Sequence, residues 1–523
     1  MKALAVLFAG KLTGNSREPL AGGASAFERS VARVSEFPHI EKVLVCAAQK
    51  GSGCIENSPQ YILRKNDDWT PESFFSIIEE ESEGFDHIYL VWADCPFLDS
   101  SFAAKLYDLH VQYASEYTFA DGYPLGLAPE ILARGILPVL VKMSQGISAP
   151  LTRESVFETI KKEINSFDIE TDIAPVDLRH LRLEFACDTK RNTLLCESFT
   201  DITIQNYANL IAERAEALRS LPAFYALQIA GRCPYECRFC PYPEFCLSGQ
   251  GISPGISAPN RRDFMKYEDF SLVIDKISRF SGDAVVSLSL WGEPSYHPDI
   301  VLFIKKILSY PSLSVLIETT GISWDPLILT DIAQSIKEFE PRQNGQPPIT
   351  WIVSLDAVGS TCYGNEHGIE ESARADILFR EALATVEVLL SLFPKAVHPQ
   401  MLRLKTNEEE LESFYRFWKQ KTGNVIIQKH DHFCSSITDL RVADLSPLIR
   451  HPCWHLKRDM CIMMDGTVPL CREDLYATHL LGNAFSQDFE KIWSESIEVY
   501  QQHVKCNYEG LCGACDEYYT YNF

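Results

Sequence analysis

Gly231-Arg232-Cys233-Pro234-Tyr235-Glu236-Cys237-Arg238-Phe239-Cys240-Pro241 decides how this chain is read. Three cysteines stand at a three-then-two spacing, with an aromatic residue before the third. Three thiolates so placed can hold three irons of a [4Fe–4S] cube, and the loop then offers no ligand to the fourth iron. An open iron can bind a substrate or cofactor, unlike a closed four-cysteine site. Zinc is the competing reading, but structural zinc sites take four ligands, commonly as paired Cys-x2-Cys knuckles. The loop follows an apolar run at 224–229. If that run is a barrel strand, the cysteines sit at its C-terminal end, where sites gather in β/α barrels.

Apolar runs at 224–229, 284–290, 314–318, 350–355, 399–404 and 424–428 alternate with amphipathic stretches. Six such repeats predict an open, partial (β/α)6 barrel. Upstream, strands at 2–8, 42–47 and 87–92 and a helix at 26–34 predict a second, mostly parallel α/β sheet. A helix at 205–220 reads as the bridge between the two. The expected division is 1–195, a linker helix at 196–221, the barrel at 222–430 and a Cys-rich tail at 431–523.

Composition limits the classes of function. The 523 residues carry 48 Lys+Arg against 71 Asp+Glu, a net charge of −23. Non-specific nucleic-acid binding relies on clustered cations that release counterions, so no nucleic acid is expected as partner. Hydrophobic residues at 46% and charged residues at 23% exclude a disordered or collagen-like chain. No apolar run approaches the roughly 18 residues that span a bilayer, so no membrane is expected as partner. The opening apolar run reads as a buried strand rather than a signal peptide, which gives a cytoplasmic expectation. Seventeen cysteines is many for such a chain, and they cluster. In a chain large enough to bury a full core, clustered cysteines read as metal ligands rather than staples. Cys246, just beyond the three-cysteine loop, reads as a buried thiol.

The loop and the strands after it resemble the radical S-adenosylmethionine (SAM) superfamily over about 222–430. That resemblance implies a [4Fe–4S] cluster on Cys233, Cys237 and Cys240 whose open iron binds SAM. One electron then cleaves SAM to methionine and a 5′-deoxyadenosyl radical, which abstracts hydrogen from substrate. Trp291-Gly292-Glu293-Pro294 stands where the family has Gly-Gly-Glu-Pro against the SAM amino group, with Trp291 for the first glycine. Thr319, Ser354, Asp356 and Arg403 follow or end later strands and are the expected contacts to the rest of SAM. The resemblance assigns no catalytic side chain beyond the cluster ligands.

The tail carries Cys453, Cys461, Gly466-x4-Cys471, Leu481-Gly482-Asn483, Cys506 and Cys512-x2-Cys515. It resembles the SPASM domain, an auxiliary-cluster module. Full SPASM domains carry seven cysteines and two clusters; six here imply one auxiliary [4Fe–4S] cluster, on Cys453, Cys471, Cys512 and Cys515. Cys461, in an apolar run, reads as core, and Cys506 is an alternative ligand. Zinc on these thiolates stays open as a reading.

The first 195 residues loosely resemble sugar nucleotidyltransferases, through Val6-Leu7-Phe8-Ala9-Gly10, Asp94-Cys95-Pro96 and the segment 183–189. In that family the strand-end Asp holds Mg²⁺, so Asp94 is the expected Mg²⁺ residue. The lysine that follows proline in those enzymes is Leu20 here, which favours a degenerate, binding or packing domain over the alternative, an active transferase. The full order resembles the spiro-SPASM family. It implies a radical SAM enzyme acting on a peptide or protein, with a flavodoxin or ferredoxin as reductant. Radical modification of a sugar or nucleotide-sugar is the second expectation, and a non-catalytic, metal-stapled binding protein the third.

Overall fold

The computed structural model describes residues 1–51, 53–243, 245, 263–342 and 346–518. Cys246 lies outside them. The chain divides into two compact units, Met1–Ser220 and Leu221–Phe523.

The first unit is a seven-stranded sheet of β1 (Ala3–Ala9), β2 (Ile40–Ala47), β3 (Ile62–Lys65), β4 (His87–Trp92), β5 (Tyr117–Asp121), β6 (Glu130–Ala133) and β7 (Ile169–Ile173). Its order is β3-β2-β1-β4-β6-β5-β7, parallel except for β6, which runs antiparallel to β4 and β5. Every residue of β1 is buried, as a central strand covered on both faces requires. Helix Ala26–Val34 starts on a capping box: the Ser25 side chain accepts from Glu28 N–H while Glu28 accepts from Ser25 N–H.

The bridging helix takes another form. The chain makes helices Lys190–Ser198 and Tyr207–Glu213 and a 3₁₀ turn Ala215–Leu218. Leu195, Tyr207, Leu210, Ile211 and Leu218 pack with Leu20, Leu127 and Phe185 in one apolar cluster. This segment is part of the first unit's core, because its apolar side chains have that face to cover.

The second unit holds an all-parallel sheet of β8 (Phe224–Leu227), β9 (Ala284–Ser287), β10 (Leu313–Thr319), β11 (Ile349–Ser354), β12 (Val397–Arg403), β13 (Ile426–Lys429) and β14 (Asp459–Ile462). The first six match the six expected strands. The seventh comes from the Cys-rich tail and covers the outer edge of β8, Asp459 to Ile462 pairing with Phe224 to Leu227. A small antiparallel pair, β15 (Thr467–Pro469) and β16 (Leu480–Asn483), follows. One apolar cluster runs from Tyr225 and Leu227 through Ile317 and Trp351 to Ile492 and Trp493, so tail and barrel share a core. No helix among the described residues is long and apolar enough to cross a membrane.

Candidate metal centres

The three-cysteine loop leaves the C-terminal end of β8 and is clamped on two sides. On one side the Tyr242 hydroxyl accepts from Gln228 Nε2 (2.8 Å) and donates to the Gly231 carbonyl (3.1 Å). On the other, Arg238 N–H donates to the Glu366 carbonyl (3.2 Å), and the Tyr235 and Tyr363 hydroxyls meet at 2.8 Å. Gly368 (φ +68°) lies under the Glu236 carbonyl, where a Cβ would come within 2.3 Å of oxygen. Cys237 Sγ lies 3.3 Å from His367 Nδ1. Burial pushes the Cys237 thiol well up, and the charges of Cys233, Cys240 and Asp356 push it further. A buried thiol whose ionisation its neighbours oppose is one that a cationic iron centre, which binds thiolates, can deprotonate. The loop fits such a centre.

Because the sheet is parallel, the ends of β9 to β12 share the edge that carries this loop. Gly292 (φ +79°) turns the chain after β9; a Cβ there would sit 2.1 Å from the Ala230 carbonyl. Trp291 stacks on Tyr242 at 5.9 Å and packs against Phe433 at 5.5 Å, so it is a wall of this loop. Glu293, 2% exposed, accepts from the end of β10: the hydroxyls of Thr319 and Thr320 and the Thr320 N–H reach its carboxylate. Burial raises its pKa, and those bonds oppose the rise. Pro294 beside it is buried.

Thr319 ends β10, and its hydroxyl also accepts from Gly321 N–H and Trp324 Nε1. Ser354 ends β11 and accepts from Gln400 Nε2 at 3.2 Å. Arg403 ends β12 and grips Glu408 through Nε (2.8 Å) and Nη2 (2.7 Å). Asp356 has a left-handed backbone (φ 58°) and is 1% exposed. Its Oδ1 accepts from Leu402 N–H at 2.6 Å, and its Oδ2 faces His367 Nε2 at 3.5 Å. Burial raises the Asp356 carboxyl to about 7 and lowers His367 to about 4. All the strand-end residues singled out from sequence therefore stand on one edge. Glu293, Thr319, Asp356 and Arg403 already have protein partners there and frame the edge.

In the tail, Cys453 caps helix Trp454–Arg458 just before β14, Cys471 follows β15, and Cys512 and Cys515 lie on and after helix Leu511–Ala514. Burial raises the Cys453 and Cys471 thiols, and Cys515 adds to both. Cys512 is pushed up to about 11 by burial and then by Cys515. Cys515 alone shifts down, because the Cys434 thiol donates a hydrogen bond to it; Glu517 N–H donates as well (3.2 Å). The four expected thiols thus act on one another's ionisation, and as a donor set they suit a closed cluster. Cys461 is buried in β14 opposite Ala226 of β8, as a core residue. Cys506 is exposed.

Cys434 is the thiol that sequence reasoning missed. It sits in a run of three left-handed residues, Phe433 (φ 48°), Cys434 (φ 53°) and Ser435 (φ 69°). Such strain persists only where surroundings over-determine it. Here Asp431 Oδ1 accepts from Phe433 N–H and His432 Nδ1 from Ser435 N–H, both at 2.8 Å. Oxygens of Asp431, Asp516 and Glu517 gather within 4.8 Å of one another. Arg472 (2.9 Å to Asp431), Lys429 (3.2 Å to Asp516) and Arg441 (2.8 Å to Asp516) neutralise them, so they pin the loop to the tail rather than await a cation.

In the first unit, Asp94 is 4% exposed at the end of β4. Arg153 Nη2 lies 2.7 Å from its Oδ2 and 3.7 Å from Asp188 Oδ2, and the guanidinium packs over Trp92 at 4.6 Å. Burial works against the Arg153 charge, but Asp94, Cys95 and Asp188 outweigh it and raise its pKa. A fixed cation thus stands where Mg²⁺ was expected, and the site does not fit the ion. The Gly10–Ser16 loop folds onto the segment that carries Asp188: Thr13 and Ser16 hydroxyls donate to the Asp188 (3.0 Å) and Cys187 (2.7 Å) carbonyls.

Comparison with known proteins gives two family matches. The Radical SAM superfamily profile matches residues 227–417, and the SPASM iron–sulfur cluster-binding domain profile matches 453–516. A Treponema pallidum (strain Nichols) protein described as uncharacterized is 47% identical over 370 residues, 70% of this chain and 98% of that protein. Among solved structures, BtrN in complex with AdoMet and 2-DOIA is 14% identical, covering 55% of this chain and 88% of that one at a TM-score of 0.33. A cytidylyltransferase from Leptospira borgpetersenii serovar Hardjo-bovis (strain JB197) is 14% identical, covering 42% and 95%, also at 0.33.

Proposed function

We propose that this chain, which carries radical SAM and SPASM domains and belongs to one family with the Treponema pallidum protein, is a radical SAM enzyme whose substrate is a peptide or protein. The observation that carries the reading is the Cys233/Cys237/Cys240 loop at the C-terminal edge of a parallel sheet, inside the radical SAM match. In this reading those three cysteines hold the SAM-binding [4Fe–4S] cluster, and Cys453, Cys471, Cys512 and Cys515 hold one auxiliary cluster. When bound, the first cluster supplies the electron that cleaves SAM to methionine and a 5′-deoxyadenosyl radical.

The chain's own part is positioning and exclusion of water. Gly292 lets the backbone after β9 pass against the cysteine loop, close to where SAM would lie. Trp291, Tyr242 and Phe433 wall the site with stacked aromatics. Glu293, bonded to Thr319 and Thr320, fixes the ends of β9 and β10 to each other. A closed four-thiolate auxiliary cluster suits electron transfer from a substrate radical, since no iron stays open. The charge of −23 suits a basic peptide. The sugar reading is weaker because Arg153 already neutralises the carboxylate that would hold a nucleotide's metal ion.

The test is anaerobic reconstitution with iron and sulfide counted. Dithionite and SAM are then added, and 5′-deoxyadenosine is measured with basic peptides, acidic peptides or nucleotide-sugars present. About eight irons per chain are expected. Nucleoside should form in the wild type and not in the Cys233/Cys237/Cys240→Ala variant, faster with basic peptides. Stimulation by nucleotide-sugars alone would overturn the peptide substrate. Zinc with no nucleoside would overturn the enzyme.

A further inference from the structure

We propose that His367 is a positioning residue for the cluster on the three-cysteine loop: its Nδ1–H donates to the Cys237 sulfur, and Asp356 holds the ring in place from the far side. This rests on the cluster reading above and adds to it a residue that sets how readily the cluster takes an electron.

The geometry is specific. Nδ1 lies 3.3 Å from Cys237 Sγ, and Nε2 lies 3.5 Å from Asp356 Oδ2. Both side chains are 1% exposed. Neither Nε2 nor Oδ2 makes a hydrogen bond of ordinary geometry to another group among the described residues, although the Leu355 carbonyl also bears on the ring. The ring is caged by Tyr363 (4.3 Å), Tyr235 (4.9 Å) and Phe239 (5.7 Å). It therefore cannot turn away from the sulfur.

Asp356 is equally fixed. Leu402 N–H holds its Oδ1, and Asn407 Nδ2 donates to its carbonyl at 3.0 Å. A left-handed, fully buried aspartate at a strand end is costly to build, and a structural turn has no need of it. Its free oxygen is aimed at the histidine. The clamp around the pair ties the histidine's backbone to the cysteine loop directly, through Arg238 N–H on the Glu366 carbonyl and Gly368 under Glu236.

An iron-bound cysteine sulfur is a thiolate and can only accept, so the nitrogen facing it must carry the hydrogen. Hydrogen bonds to cluster sulfurs withdraw electron density and raise the reduction potential. With the hydrogen on Nδ1 the neutral ring's Nε2 can only accept, so Asp356 holds it as the protonated carboxyl, its Oδ2–H directed at Nε2. The reduced cluster has to form before SAM is cleaved. A buried N–H on one of its three thiolates makes that reduction easier.

The test is a mediated potentiometric titration, followed by EPR, of anaerobically reconstituted wild type, His367→Leu, His367→Gln and Asp356→Asn, each with iron counted. At equal iron content His367→Leu should show a lower midpoint and a smaller reduced fraction at fixed dithionite. His367→Gln, which can return an N–H, should recover part of the shift, and Asp356→Asn should fall between. A fully loaded His367→Leu protein with the wild-type midpoint overturns the role. If His367→Leu loads no cluster, Asp356→Asn decides by the same midpoint. Absence of iron on this loop in the wild type overturns the cluster reading and this inference together, which separates the two failures.

Discussion

Arg153 Nη2 lies 2.7 Å from Asp94 Oδ2, and the same guanidinium reaches Asp188 at 3.7 Å. One arginine thereby joins a carboxylate at the end of β4 to one that follows the 183–187 segment. It does so in a site where a neighbouring carboxylate pair could otherwise bind a hard divalent ion.

Removing that side chain should open the pair. Arg153→Ala is expected to bind one Mn²⁺ per chain, read by loss of the free Mn²⁺ EPR signal. The wild type should leave the signal unchanged at the same concentration. Tight Mn²⁺ binding by the wild type would show that the arginine yields to metal. The variant also leaves the buried Asp94 carboxylate without its counter-charge, so without metal it should be less stable by about 3 kcal/mol.

Gly292 allows no side chain. A Cβ would meet the Ala230 carbonyl at 2.1 Å on a backbone with φ +79°. Gly292→Ala should lower stability by about 3 kcal/mol or more and reduce iron loading on the adjacent loop. Thermal unfolding and an iron count check both. Normal loading with an unshifted midpoint would mean that the turn is free to move.

Cysteine substitutions should divide cleanly. Cys453→Ala or Cys512→Ala should cut iron from about eight to about four per chain. Cys506→Ala, at an exposed thiol, should leave the count unchanged. Cys434→Ala should also keep its iron, since Cys434 donates to Cys515 rather than replacing it. A loss of four irons in Cys434→Ala would make it a ligand.

His110 gives the first unit a pH dependence. It is 1% exposed, its Nδ1 lies 2.8 Å from the Thr118 hydroxyl, and burial lowers its pKa to about 4. Between the unfolded value near 6.5 and about 4, the unfolded chain binds a proton that the folded one refuses. His110 therefore adds no penalty above about 6.5 and costs stability as pH falls through that window, by about 3 kcal/mol at most. Relative to His110→Gln, the wild type should lose stability by that amount between pH 7 and pH 4 in denaturant titrations. Parallel pH profiles for the two proteins would count against it.

Much of this was legible in the sequence, and the reasons differ by feature. The helix Ala26–Val34 and the strand His87–Trp92 stand where apolar periodicity put them, because both bury a face set by local spacing. The cysteine loop was legible because its ligands are close along the chain. β14 was not read as part of the barrel, since Cys461 in an apolar run says only that it is buried; its partner strand begins at Phe224. Arg153, His367 and Cys434 escaped for the same reason. Each acts on a residue at least 59 positions away, and no local pattern marks an arginine, a histidine or a thiol for a distant partner.

β14 has a further consequence for how the protein is made. β8, whose end carries the three-cysteine loop, has one edge covered by β9 and the other by a strand that leaves the ribosome more than two hundred residues later. Until then that edge is an open template for stray pairing. Cys453 and Cys471 flank the late strand, so a cofactor gathered on them would fasten the last piece of the sheet as it arrives. Supply of iron and sulfide to the tail then becomes a step in the maturation of the barrel, and cells short of either should accumulate chains with an unsealed sheet.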